Sequence, residues 1–84
     1  MKNKNSSTTK EFQQTVKQRR AAFGFTQRVL AKKLGCKASH VAYLENGRRR
    51  PSLGLLLRLA KVLGVRPATL ALRAIPELAG FGVK

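Results

Sequence analysis

FGFTQRVLAKKLGCKASHVAYLENGRRRPS, residues 23–52, is the stretch on which the fold turns. Thr26 can cap a helix carrying Val29, Leu30, Ala31 and Leu34, and Gly35 ends that helix after barely two turns. A second short segment carries Val41 and Leu44 toward a core and closes at Asn46-Gly47. Arg48-Arg49-Arg50-Pro51 follows as a basic loop.

Reading outward adds three more helices. Upstream, Thr8 stands three residues before Glu11, a capping-box spacing, with Phe12, Val16 and Phe23 as the apolar side and Gly24 as the stop. Downstream, Ser52 caps a segment through Leu53, Leu56, Leu57, Ala60 and Leu63 that Gly64 closes. Pro67 suits the first turn of a fifth helix, which carries Leu70 and continues to Arg73. No stretch alternates with period two, so an all-α domain of five helices is expected over residues 9–73. Residues 1–8 read as a flexible basic arm and 74–84 as a tail. Two short helices around a tight glycine-containing turn, in a basic all-α domain, suggest a helix-turn-helix.

Charge narrows the function. The 84 residues hold 18 Lys and Arg against three acids, for a net charge of +15. Such a chain repels itself unless a polyanion relieves it, and a phosphate backbone does so. Glu11, Glu45 and Glu77 are too few and scattered for a two-metal nuclease or for paired acid-base hydrolysis. One cysteine, Cys36, and one histidine, His40, make neither a disulfide nor a metal site. With no Gly-rich phosphate loop either, no cofactor is expected and the chain does not read as an enzyme. The start MKNKNSSTTKEF lacks the apolar stretch of a signal peptide, and no run approaches a membrane span. A lone thiol fits a reducing compartment, so a cytoplasmic location and no membrane partner are expected.

Residues 12–72, about three quarters of the chain, resemble the lambda repressor/Cro-like (XRE) helix-turn-helix family. The motifs are FGFTQ, LAKKLG, LENGRRRPS and LLRLAKVLGV, in order and at family spacing. The resemblance implies a compact five-helix lambda-repressor-like domain whose third helix lies in the DNA major groove. Base contacts then fall to Lys37, Ala38, Ser39, His40 and Tyr43. Lys37 can donate to guanine, Ser39 can donate or accept, and Ala38 can touch a thymine methyl. Gln27, opening the second helix, would anchor a phosphate beside free backbone N–H groups. Asn46, Arg48, Arg49 and Arg50 would hold the sugar-phosphate backbone, with Lys17 and Arg28 as lesser candidates. The resemblance also pairs Glu45 with Arg20, hiding an acid that phosphates would repel. Lys37 stands where relatives often place a Ser or Thr cap, which leaves the start of the third helix weakly fixed.

One short recognition helix reads too few base pairs to select one site in a genome. Relatives bind palindromes as two-fold dimers, so a homodimer is expected here. Leu55 and Val62 lie seven apart, beside the core stripe, and Leu72, Ile75, Leu78, Phe81 and Val83 follow. Residues 66–83 are the expected dimer surface, against the alternative of a tail folded back on its own monomer. The expected function is a sequence-specific double-stranded DNA-binding transcriptional regulator, a dimeric repressor or autoregulator of a small operon with a palindromic operator. The competing reading is an antitoxin or adaptor that binds a protein partner such as a toxin.

Overall fold

Thr9, not Thr8, starts the first helix: its hydroxyl accepts from the Phe12 N–H at 3.1 Å, opening α1 at Lys10–Ala22. Thr8 is buried, and its carbonyl and hydroxyl accept from Gln13 Nε2 at 3.2 and 3.3 Å. The expected capping box is therefore absent, because Glu11 falls one position short of the place from which it could reach back. The computed structural model describes residues 8–75 and Glu77. Thr26 caps α2, Gln27–Leu34, accepting from Val29 N–H at 3.0 Å. Then α3, Ala38–Asn46, begins at Lys37 with no side-chain cap. Ser52 caps α4, Leu53–Leu63, and Pro67 opens α5, Pro67–Ala74. No strand occurs among the described residues.

Gly47 ends α3 at φ +79°, a left-handed conformation that costs a side-chain-bearing residue about 1–2 kcal/mol. A Cβ at this position would also collide with the Gln13 amide.

The core collects Phe12 and Val16 from α1, Leu30, Ala31 and Leu34 from α2, Val41 and Leu44 from α3, and Leu70 and Ala74 from α5. α2 packs on α3, α1 lies against α3, α4 and α5, and α4 reaches α2 and α5. The leucine-rich α4 departs from expectation. Leu55, Leu56, Leu59, Ala60 and Leu63 are buried, whereas Leu53 is 71% and Leu57 48% exposed. At about 100° per residue the five buried positions span one arc of the helix, and Leu53 and Leu57 fall beyond its edge. Phe23 and Val29, also expected on apolar faces, are exposed. Phe23 stacks instead on Phe25, with ring centroids 5.4 Å apart.

Arginines tie the helices together. Arg19 Nε donates to the Leu63 carbonyl at 3.0 Å, and Arg58 Nη1 to the Leu34 carbonyl at 2.9 Å. Each guanidinium thus serves the C-terminal carbonyls of another helix, where the dipole also favours a cation. Arg73 Nη1 donates to Thr15 Oγ1 at 2.8 Å, and the Thr9 hydroxyl donates to the Arg73 carbonyl.

Candidate nucleic-acid interface

The outer side of α3 carries the chemistry. Lys37, Ser39 and Tyr43 are exposed and His40 is half-buried. With Cys36 and Arg49 they line one surface hollow of ≈ 350 Å³. Four of the five expected base-contact residues therefore converge. Ala38 does not join them, being half-buried and packed against the core. Cys36 had no expected role. Burial pushes its thiol pKa up while the Arg58 charge pulls the other way, so at neutral pH it presents a protonated thiol.

The basic loop folds back on this helix. The N–H groups of Arg48 and Arg49 both approach the Tyr43 carbonyl, at 2.9 and 3.4 Å. The Arg49 guanidinium carbon lies 6.0 Å from the Tyr43 ring centroid. Arg50 Nη2 comes within 3.9 Å of Glu77 Oε2, both side chains being open to solvent. Asn46, Lys17 and Arg28 are exposed on α3, α1 and α2 and do not line the hollow.

Behind the recognition surface, Glu45 is 1% exposed and accepts from three donors. Arg20 Nε reaches Oε2 at 2.6 Å and Arg20 Nη2 reaches Oε1 at 3.2 Å. Gln27 Nε2 donates to the same Oε1 at 3.0 Å, while Arg20 Nη1 donates to the Phe25 carbonyl at 2.9 Å. One carboxylate thus joins α1, α2 and α3 with its charge compensated and its lone pairs engaged. Gln27, expected at a phosphate, has one N–H directed at Glu45. Its amide retains a second N–H for another acceptor. The Gln27–Glu45 contact had no local signal, since eighteen residues separate the two partners.

The expected dimer residues divide. Leu55 is 6% exposed and belongs to the monomer core, because it falls within the buried arc of α4. Val62 and Ile75 are partly buried against that core. Leu72 is 44% exposed. Leu78, Phe81 and Val83 lie outside the described residues. Among the described residues, no cluster of His, Cys, Asp or Glu could hold a metal, and no helix is long and apolar enough to cross a membrane.

Residues 16–70 match the family described as Helix-turn-helix. An uncharacterized HTH-type transcriptional regulator from Archaeoglobus fulgidus is 39% identical over 51 residues, spanning 61% of this chain and 73% of that protein. The restriction-modification controller protein C.AhdI from Aeromonas hydrophila has a TM-score of 0.66 at 36% identity, over 73% of this chain and 92% of the controller. Hydroxypropylphosphonic acid epoxidase from S. wedmorenis also has a TM-score of 0.66, at 31% identity, over 77% of this chain but only 35% of the enzyme. That last likeness is to one part of a longer protein and carries no reaction across. A five-helix architecture and a family match over most of its length place the chain together with these regulators: it belongs to the lambda repressor/Cro-like (XRE) helix-turn-helix family of DNA-binding transcriptional regulators.

Proposed function

We propose that this chain reads double-stranded DNA sequence-specifically as a homodimer on a palindromic operator, and represses transcription of a small operon, its own gene included. The observation that carries this reading is the hollow on α3, where Lys37, Ser39, His40 and Tyr43 stand beside a basic loop. Side chains of this kind can address base edges, while arginines supply the sequence-independent attraction. The one acid on α3, Glu45, is buried and paired, so phosphates meet no exposed carboxylate on that helix. The same pairing leaves little for catalysis, because Glu45 is committed to Arg20 and Gln27. Exposed Leu53 and Leu57 on α4 and Leu72 on α5 support association of two copies. The likeness to a restriction-modification controller protein supports a regulatory role. No observation favours a toxin-binding adaptor.

Selection of bound duplexes from a random DNA pool tests the reading. The expected product is an inverted repeat with half-site centres about 10 base pairs apart, matching recognition helices about 34 Å apart. A pool that stays random would overturn sequence-specific binding, and a single unrepeated motif would overturn the dimer.

A further inference from the structure

We propose that Tyr43 is a positioning residue that holds Arg49 over the recognition surface, so that Arg49 reads a guanine edge while its neighbours in the loop hold phosphates. This rests on the DNA-reading function proposed above and assigns its residues more finely. Three consecutive arginines follow Gly47, and residue type alone treats them alike. The structure separates them. Main-chain bonds from Arg48 and Arg49 to the Tyr43 carbonyl, at 2.9 and 3.4 Å, fold the loop against the last turn of α3. The Arg49 guanidinium then rests 6.0 Å from the Tyr43 ring centroid and lines the hollow with Lys37, Ser39 and His40. Arg50 instead approaches Glu77.

A guanidinium attracted to an aromatic face keeps its N–H edge for a second partner. Its two parallel donors match O6 and N7 of guanine in the major groove, a fork that a single phosphate oxygen does not require. An arginine otherwise loses much rotamer freedom when it binds, and restraint by the ring reduces that loss. A ring on the recognition helix also fixes the guanidinium in the frame of Ser39 and His40, so that it addresses the same half-site.

The test is selection of bound duplexes with the full-length chain and with Arg49→Ala, Tyr43→Leu, Tyr43→Met and Tyr43→Phe, together with the melting midpoint of each protein. Arg49→Ala is expected to lower the preference for guanine at one position per half-site by roughly 5- to 150-fold. Tyr43→Leu and Tyr43→Met should shift that same position in the same direction, and neither should add to the change in an Arg49→Ala background. Tyr43→Phe keeps the ring and should retain the wild-type consensus. Equal weakening on all sequences by Arg49→Ala would make it a phosphate contact and overturn the proposal. An unchanged guanine preference in both ringless variants would remove the positioning role, as would a Tyr43→Phe consensus altered like theirs. A wild-type chain that enriches no sequence fails differently, removing the DNA-reading function along with the role of Arg49.

Discussion

Gln27 Nε2 donates to Glu45 Oε1 over 3.0 Å, joining the first residue of α2 to the last turn of α3. Arg20 brings α1 to the same carboxylate. The spacing of the two helices of the motif thus depends on one buried acid as well as on the packing of Leu30, Leu34, Val41 and Leu44.

Removing that acid should show first in stability. Glu45→Ala leaves Arg20 and Gln27 without their acceptor, and breaking a buried pair on one side costs roughly 3–5 kcal/mol. The lower part of that range is expected, since the Arg20 side chain is 20% exposed. Thermal melting without DNA, in a double-mutant cycle with Arg20→Ala, should give a coupling above the ~0.5 kcal/mol additivity error. Additive effects would mean that the pair does not hold the helices.

Charge in the loop should govern affinity for any DNA. Arg48→Ala and Arg50→Ala should weaken binding to all sequences alike, each lowering the salt slope by about 0.9 if its guanidinium neutralises one phosphate. Glu77 approaches Arg50 at 3.9 Å in an exposed pair worth at most about 1 kcal/mol. Glu77→Gln should therefore strengthen binding at low salt. Titrations at several salt concentrations read both effects, and slopes unchanged in both arginine variants would take Arg48 and Arg50 off the phosphates.

Two glycines should respond oppositely to alanine. Gly47→Ala forces a side chain into positive φ and against Gln13, so it should lower stability by more than about 1 kcal/mol. Gly54 lies within α4 with nothing within 4 Å of an added Cβ. Gly54→Ala should raise stability by up to about 1 kcal/mol. Denaturant melts of both variants check the pair, and a stabilising Gly47→Ala would contradict the described turn.

Leucines on α4 and α5 should separate folding from association. Leu55→Ala opens a cavity in the core and should cost about 2–5 kcal/mol. Leu72→Glu should leave the monomer fold intact, weaken association and reduce specific binding far more than non-specific binding. Sedimentation at micromolar concentration separates the two. A chain that stays monomeric alone and on its best DNA ends the dimer reading and leaves the helix-turn-helix standing.

Helix ends were legible in the sequence because caps are local. Thr26, Gly35, Gly47, Ser52, Gly64 and Pro67 all act within a few residues of themselves. The first cap was missed by one residue, since Thr8 and Thr9 are chemically alike and tertiary contacts to Gln13 and Arg73 decide between them. The buried side of α4 was harder to read. Its leucines outnumber the positions one face can cover, so the pattern alone permits several registers. The partner of Glu45 came from family resemblance, not from spacing. Contacts such as Gln27 to Glu45, or Arg49 against Tyr43, depend on the folded arrangement and leave no periodic trace.

The arginines that cap foreign helices bear on how this protein meets polyanions of every kind. Arg19 and Arg58 donate to the Leu63 and Leu34 carbonyls while both residues stay exposed. Their charge faces solvent in the folded state, and the denatured chain carries the same cationic side chains. A ligand stabilises a fold only by its preference for the native state over the denatured one. Heparin or random DNA, which both states attract, should therefore raise the melting temperature less than the operator duplex does at the same concentration. Thermal shift in this protein would rank recognition above mere charge.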